Sequence, residues 1–447
     1  MQKVANSNLH DAKKNKKDEF YTQLSDIENE LQHYKEHFKD KIVYCNCDDP
    51  LASNFFKYFL LNFKHLNLKG LMATCYKSQN YREVSDENSP KKAYAIMIGK
   101  NNKAFKNGGG GGNSHLLDDI EKILELDLAK QDKDNLELFE KNLSKLQEKI
   151  FPLKADELQE PQEQTLWKIK EDDKQGNAGD FRSKDCIELL KLADIVVTNP
   201  PFSLFREYVA QLVEYDKKFL IIGNVNAITY KDTFELIKDN KLWLGVSITS
   251  GDRKFYVPDS TPLNAAGCGV EKVIQNGKEV ERRFIRVKGV RWFSNLENKK
   301  RNEILETIAS YKKNPEQYPK YDNYDAINVD KTIEIPLDYD GVMGVPITFL
   351  DKHNPKQFEI VALGIVGSVD FTCNKKMEVL DKFGNSTGKF TFNAKGTLYR
   401  KFNPHTDKTP AFKDCESGEL YSSIYARILI RKIAEVAELR KLEFEKM

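Results

Sequence analysis

The sequence predicts an α/β protein with a doubly wound sheet, followed by a smaller β-rich module. Short apolar runs bounded by turn residues alternate with amphipathic stretches up to about residue 298, which is typical of strands and helices around a parallel sheet. Beyond that point the alternation fades into short β-like pieces. The chain has 447 residues, whereas single cores stop growing near about 250–300 residues. We therefore expect two domains, at 1–298 and 299–447.

The first elements form a strand-helix-strand unit after a leading helix. Apolar side chains recur at three-and-four spacing, like one face of a helix, at Leu24, Ile27, Leu31 and Tyr34. The segments 41–50 and 69–76 each hold a short apolar run, and the helix-like stretch 53–66 lies between them. This order is typical of the start of a parallel sheet.

Later apolar runs continue the pattern. In the first domain we expect strands at 93–98, 193–198, 218–223, 242–248 and 284–293. Helical stretches at 205–216 and 230–240 lie between several of them. In the second domain the β-like pieces are 344–350, 357–366 and 425–430.

Residues 99–178 break this rhythm. The stretch holds five consecutive glycines followed by an acidic amphipathic segment. No Gly-Lys-Ser/Thr follows the glycines, so a flexible linker is favoured over a phosphate-binding loop. We expect an insertion in the first domain.

Charge and cysteine usage limit the classes of partner and site. The formal net charge is only +2, so a polyanion would need a local basic face, for which Lys299, Lys300 and Arg301 are candidates. Seven scattered cysteines indicate a reducing interior. Cys45 and Cys47 share one strand face without a second ligand pair, which favours core packing over a metal site. No long apolar run is present, so we expect a cytoplasmic protein without a membrane segment.

The strongest motif is Asn199-Pro200-Pro201-Phe202, which directly follows the apolar run of 194–198. Two prolines end the strand rigidly because they supply no backbone donors. An exocyclic amine on a nucleobase is a poor nucleophile because its lone pair is delocalised into the ring. If the Asn199 side-chain oxygen and the Pro200 carbonyl accept its two hydrogens, the lone pair becomes available to an electrophilic methyl group. The Phe202 ring offers a face for stacking.

This tetrapeptide resembles motif IV of the S-adenosylmethionine-dependent amino-methyltransferases. About twenty residues upstream, "GDFRS" is placed like the family's motif III, which implies that Asp180 accepts from the cofactor's adenine amine and that Phe181 packs against its ring. The segment "DEFYT" resembles motif X, which implies that Tyr21 and Thr22 help to hold the methionine end of the cofactor.

The loop after the first strand departs from the family's motif I, in which glycines let the backbone approach the cofactor. Asp48 and Asp49 stand at the expected place, and the resemblance implies that they contact the cofactor. Ala52, Ser53 and Asn54 stand where the glycines would be. Small polar residues at a helix N-terminus can still present backbone amides to a carboxylate.

Taken in order, motifs X, I, III and IV ahead of a C-terminal module resemble the EcoRI-type family of adenine-specific DNA methyltransferases, from about residue 18 to 432. The resemblance implies a Rossmann-like methyltransferase sheet, S-adenosylmethionine as cofactor, no metal, and a C-terminal target-recognition module. It implies a base-flipping enzyme that acts as a monomer on double-stranded DNA, alone or beside a separate restriction endonuclease. GAATTC is a candidate site because family members recognise it.

Two alternatives stay open from the sequence. Methyltransferases of the same fold that act on ribosomal RNA or on a protein glutamine carry a similar tetrapeptide, but they usually keep the glycine-rich loop and smaller modules. A non-catalytic DNA-recognition subunit is suggested by the missing glycines, whereas the intact Asn-Pro-Pro-Phe speaks against it. A cofactor-binding measurement separates that subunit from an enzyme.

Overall fold

The computed structural model describes residues 22–47, 53–74, 94–99, 166–168, 179–257, 263, 267–275, 278–371 and 375–433. The chain forms two compact units: a first unit of Met1–Val225 and Gly245–Leu296, and a second unit of Asn226–Leu244 and Glu297–Met447. In the described part of the chain no helix is both long and apolar enough to cross a membrane.

The first unit contains a large mixed sheet and a small antiparallel sheet. The strands of this unit, numbered along the chain, are β1 (Ile42–Cys45), β2 (Gly70–Thr74), β3 (Tyr94–Gly99), β4 (Leu166–Lys168), β5 (Ile195–Thr198), β6 (Lys218–Asn224), β8 (Asp252–Tyr256), β9 (Gly269–Gln275), β10 (Lys278–Lys288) and β11 (Val290–Ser294). Seven of them lie side by side in the order β4-β3-β2-β1-β5-β6-β11. The other three, β8 to β10, form a separate small sheet.

The centre of the large sheet is parallel. β1 pairs in parallel with both β2 and β5, and β5 pairs in parallel with β6. The chain runs from β1 to β2 on one side and returns to β5 on the other, so the connections diverge between β1 and β5. In open α/β sheets this point, at the carboxyl ends of the strands, is where ligands bind.

The edges of the sheet differ from the sequence expectation. β3 pairs antiparallel with β2, and β11 pairs antiparallel with β6. β4 pairs antiparallel with β3, although its residues fall in the stretch 99–178 that we expected to be an insertion. An apolar run predicts a strand but carries no information on its direction, which depends on partners far along the chain. The pentaglycine and the rest of that stretch lie outside the described residues.

Helices cover both faces of this sheet. On one face α1 (Leu24–Leu31) and α2 (Asn54–Leu61) share a core with the odd-numbered residues of β1 and β5. The Phe55 ring meets the Trp292 ring of β11 edge-on at 5.9 Å. Each fully buried side chain of this size contributes about 1.5–3 kcal/mol of transfer free energy.

On the other face lie α3 (Lys184–Leu192) and α4 (Phe205–Glu214). The Phe205 ring of α4 lies 5.0 Å from the Phe293 ring of β11. A Cβ added to Gly223 of β6 would be only 2.8 Å from Cζ of Phe205. The absence of a side chain at Gly223 is therefore what lets α4 approach the sheet.

A buried carboxylate explains why the expected strand at 242–248 is short. Only β7 (Trp243–Leu244), which belongs to the second unit, is a strand there. Glu30 of α1 is fully buried, and its oxygens accept the backbone N–H groups of Val246 at 2.8 Å and Ser247 at 2.6 Å. These donors are thus satisfied by a side chain instead of a strand neighbour.

The expected strand at 284–293 is split in two by Gly289. Its φ of +72° ends β10 and starts β11, and a glycine adopts that conformation without strain. β10 pairs antiparallel with β8 on one side and with β9 on the other. Ile285 and Val287 pack one face of this small sheet against the core of the first unit.

The second unit contains α5 (Lys231–Lys238) and two further sheets. Its remaining strands are β12 (Ile327–Asn328), β13 (Met343–Pro346), β14 (Phe358–Leu363), β15 (Lys376–Leu380), β16 (Ser386–Phe392), β17 (Leu398–Lys401), β18 (Phe412–Asp414), β19 (Leu420–Ile424) and β20 (Arg427–Lys432). They form sheets in the orders β12-β13-β20-β14 and β16-β15-β18-β19-β17. Arg301 is buried over the Trp243 ring at 3.8 Å and paired with Glu297 at 2.8 Å. It is thus a packing residue and not an exposed basic contact.

Candidate active site

The tetrapeptide 199–202 lies at the carboxyl end of β5, beside the crevice between β5 and β1. All four residues of β5 are buried, and Asn199 remains only 5% exposed. Pro201 is extended, with φ −55° and ψ 123°, and caps a short 3-10 helix over Phe202–Leu204. α4 begins at the next residue, so the four residues are held between a central strand and a helix.

Phe202 is 9% exposed and packs in the core shared with α1 and α2. Most of its ring is therefore used in packing, which fixes its orientation. Pro200 is buried and Pro201 is half-buried. The four sequence-predicted residues therefore lie in one largely buried segment at the end of β5.

The carboxyl end of β1 carries Asn46, which the sequence analysis did not single out. The register of Tyr44 with Val196 places Asn46 level with Thr198, the residue before Asn199. Asn46 is 2% exposed, and its Oδ1 accepts a short hydrogen bond from the Tyr208 hydroxyl of α4. Burial raises the pKa of Tyr208 well above its usual value, so this hydroxyl stays protonated and able to donate.

Buried polar atoms without a hydrogen-bond partner gather at this edge of the sheet. Within the described residues they include Nδ2 of Asn46, Oγ1 of Thr198 and Oγ1 of Thr22. An unsatisfied buried polar group costs about 1–3 kcal/mol. Such atoms are suited to a polar ligand that would complete their hydrogen bonds.

The leading segment reaches the same edge. The carbonyl of Thr22 accepts the side-chain amide of Asn54 at 2.7 Å. Asn54 opens α2, and Ser53 caps that helix by accepting the Phe55 N–H at 3.2 Å. The structure therefore brings Thr22 next to the start of the helix that follows β1.

Asp180 and Phe181 lie just before α3. Both oxygens of Asp180 are held by Arg182, at 2.8 Å from Nε and 2.7 Å from Nη2. These hydrogen bonds raise the pKa of the Arg182 guanidinium. The Phe181 ring meets Tyr208 edge-on at 5.0 Å, and its carbonyl accepts Nε2 of Gln211 at 3.1 Å. Phe181 thus contacts the same tyrosine that holds Asn46.

A buried polar cluster supports β1 and β2 behind these residues. The Tyr44 hydroxyl and Thr74 Oγ1 are hydrogen-bonded at 2.9 Å, and Cys186 Sγ lies 4.0 Å from the same oxygen. Burial raises the pKa of both Tyr44 and Cys186. These groups therefore stay neutral and act as supports for α3 against the sheet.

Three predicted cofactor residues, Tyr21, Asp48 and Asp49, lie outside the described residues. Cys45 is buried in the core, and Cys47 lies within 3.6 Å of Asn46 Oδ1. In the described part of the chain no three His, Cys, Asp or Glu side chains are grouped to hold a metal. The partnership of Asn46 with Tyr208 has no local signal, since 162 residues separate them; the only hint is that Tyr208 falls on the buried face of α4.

Comparison with known proteins gives one family and three relatives. The family model described as adenine-specific methyltransferase EcoRI matches residues 8–433. The chain is 45% identical over 358 residues to the Type II methyltransferase M.EcoRI of Escherichia coli, covering 80% of this chain and 89% of that protein. It is 35% identical over 351 residues to M.MpnI of Mycoplasma pneumoniae, with 78% and 83% covered. For M.MgeORF184P of Mycoplasma genitalium the identity is 33% over 357 residues, with 78% and 84% covered. No solved structure gives a significant match.

Proposed function

The chain belongs to the EcoRI family of adenine-specific methyltransferases, and on this premise we propose that it transfers a methyl group from S-adenosylmethionine to the exocyclic amine of an adenine in double-stranded DNA. The target base is flipped out of the helix, because its amine is out of reach inside the duplex. The three relatives are all named Type II methyltransferases, which supports a role in restriction-modification.

The observation that carries this function is the position of Asn199-Pro200-Pro201-Phe202 at the carboxyl end of β5, next to the divergence point of the sheet. Asn199 Oδ1 and the Pro200 carbonyl accept the two hydrogens of the adenine amine. The nitrogen would then take tetrahedral character, and its lone pair would attack the methyl group as the carbon–sulfur bond breaks. S-adenosylhomocysteine would leave, and one amine hydrogen would be lost to water as a proton. Because a buried strand and a helix hold both acceptors, little reorganisation is needed in the transition state.

S-adenosylmethionine supplies the electrophilic methyl group when it is bound. The buried atoms without partners at this edge, on Asn46, Thr198 and Thr22, fit such a polar ligand. We assign Asn46, Thr22 and Tyr21 to its amino-acid end, together with Asp48 and Asp49. Asp180 and Phe181 would contact its adenine. The Tyr208 hydroxyl orients the Asn46 amide. In this proposal the oriented amide holds the cofactor in place of the backbone contacts that the glycines of motif I allow.

The two units have separate roles in this proposal. The large sheet of the first unit is the Rossmann-like methyltransferase sheet, supported by its parallel centre and by helices on both faces. The second domain, at 299–447, is the target-recognition module. Its edge strand β16 exposes Phe390 and Phe392 beside Lys376, which suits contact with a nucleic acid. In this proposal the protein acts as a monomer, alone or beside a separate cognate restriction endonuclease.

The experiment that tests the function exposes unmethylated genomic DNA to the purified protein and S-adenosylmethionine, and maps modified bases by single-molecule sequencing. We expect N6-methyladenine at one short motif, with GAATTC as the first candidate. Transfer to RNA or protein but not to DNA would overturn the proposal. Methylation at another single motif would keep the function and correct only the recognition sequence.

A further inference from the structure

The small sheet β8-β10-β9 of the first unit has two unlike faces. Side chains alternate across a strand, and Ile285 and Val287 of β10 point into the core together with the buried Phe255. The opposite face carries the basic residues that we call the basic face: Lys254, Arg282, Arg286 and Lys288. The register places Arg286 opposite Lys254, which confirms that both belong to this face.

Within the described residues the basic face holds more basic than acidic side chains. The acidic side chains described on this face are Glu271 and Asp252, and each has a basic partner. Lys254 pairs with Glu271 at 2.6 Å, and Arg286 pairs with Asp252 at 3.3 Å. The Lys254 hydrogen bond lowers the pKa of Glu271. Lys288 is exposed on the same face, and the Arg286 side chain is 45% exposed.

Aromatic side chains lie between these charges. The Lys254 ammonium is 5.7 Å from the Tyr256 ring and 5.5 Å from the Phe284 ring. A Cβ on Gly269 would be 3.1 Å from Cζ of Phe284, so the tip of the ring lies over that glycine. These cation–π contacts fix the position of the Lys254 ammonium on the basic face.

The topology places the basic face at the same edge of the sheet as the tetrapeptide. Thr198, the last residue of β5, pairs with Ile221 of β6. Three residues further, at the carboxyl end of β6, Asn224 pairs with Val290, the first residue of β11. Asn224 also donates to the Lys288 carbonyl at 3.0 Å. Three strand residues span about 10 Å, so β10 leaves the large sheet about 10 Å beyond the end of β5.

We propose that the basic face of β8 and β10 binds the sugar-phosphate backbone of duplex DNA beside the flipped adenine. This inference rests on the proposed function, because it takes the end of β5 as the place that the base enters. Duplex DNA carries one negative charge per about 1.7 Å of its axis, and the face offers the complementary charge at that edge. Phosphate contacts here fix the register of the duplex while the second domain reads the sequence.

The test measures the dissociation constant of a short unmethylated duplex that contains the motif that the wild type methylates. It compares the double variant Arg286→Gln/Lys288→Gln with wild type over a range of KCl concentrations. We expect affinity to fall about tenfold at low salt. The slope of log K against log[KCl] should become shallower by about 0.9 for each lost phosphate contact. The dissociation constant of S-adenosylmethionine should not change.

Lys272→Gln is the matched control, since Lys272 is exposed on the opposite face of the same sheet and pairs with Glu279. It removes one positive charge and should leave the slope unchanged. Lys288→Gln alone, at an exposed position, covers the case in which the double variant fails to fold. If the folded double variant and Lys288→Gln both show the same slope as wild type, the proposal is overturned. A wild type that methylates no DNA would instead reject the proposed function itself.

Discussion

Two neighbouring strand ends, those of β5 and β1, form the proposed site, and they are held in place in different ways. At the end of β5 the rigidity is local, because two prolines and a helix start fix Asn199 within a few residues. At the end of β1 the rigidity comes from outside, because Tyr208 of α4 holds the Asn46 amide. Local rigidity leaves a motif in the sequence, whereas rigidity supplied by another element does not.

The largest effect should come from the β5 end. Asn199→Ala removes one of the two proposed acceptors of the adenine amine, and turnover should fall by about 10²- to 10³-fold, as for other preorganised groups that stabilise a transition state. Steady-state kinetics with duplex DNA measures this, and calorimetry should show unchanged binding of S-adenosylmethionine. Asn62→Ala, at the far end of α2, is the control with the same chemical change and should retain turnover.

The packing of α4 against the large sheet can be disturbed by a substitution in β6. Gly223→Ala places a methyl group against the Phe205 ring, and overpacking of this kind costs about 1–3 kcal/mol of unfolding free energy. Urea denaturation measures the loss. Gly70→Ala in β2, where the nearest atom would be 3.3 Å away, should cost less. Equal costs at the two glycines would show that Gly223 does not set the position of α4.

The end of β1 can be tested by removing the hydrogen bond that Tyr208 donates to Asn46. Tyr208→Phe removes the donor to Asn46 and should cost about 1–2 kcal/mol of stability, with weaker binding of S-adenosylmethionine. Because the pKa of Tyr208 is raised when folded, its contribution is complete below the unfolded pKa of about 10 and is lost as pH rises above it. The stability difference between wild type and variant should therefore be constant from about pH 6 to 9 and shrink above pH 10. Tyr58→Phe, in α2 on the other face of the sheet, should leave cofactor binding unchanged; a loss of affinity equal to that of Tyr208→Phe would contradict the role of Asn46.

The smallest effect is expected before α3. Asp180→Asn keeps the shape of a side chain that already accepts from Arg182, so affinity for S-adenosylmethionine should fall by only about tenfold or less. Glu207→Gln is the control, because Glu207 also pairs with Arg182, at 2.7 Å, but has no assigned cofactor contact. If both variants weaken binding equally, the effect belongs to Arg182 and not to a contact between Asp180 and the cofactor.

The sequence predicted the centre of the sheet well and its edges poorly. Apolar runs identify β1, β2, β5 and β6 because all four are buried on both faces, which leaves continuous hydrophobic stretches. The direction of β3 and the pairing of β4 depend on contacts between distant parts of the chain, and no periodicity reports them. Gly289 could have been read as a break in 284–293, since a glycine inside a strand pattern often marks a bend.

The proposed site divides in the same way. The sequence alone predicts Asn199 and its neighbours because the whole motif is contiguous, and it predicts Thr22 by its similarity to a motif. Asn46 was missed because its significance depends on Tyr208 and on register with Thr198, neither of which is visible in the sequence around it. Arg301 shows the opposite error, since a basic cluster in the sequence proved to contain a buried packing residue.

The proposal assigns the chemistry to Asn199 and cofactor binding to Asn46. The most direct test is the single-turnover rate of methyl transfer at saturating S-adenosylmethionine and DNA, measured for Asn199→Ala and Asn46→Ala side by side. We expect Asn199→Ala to lose about 10²- to 10³-fold in this rate with cofactor affinity intact, while Asn46→Ala loses cofactor affinity and recovers most of the rate at saturation. A near wild-type rate in Asn199→Ala would contradict the assignment of the chemistry to the end of β5.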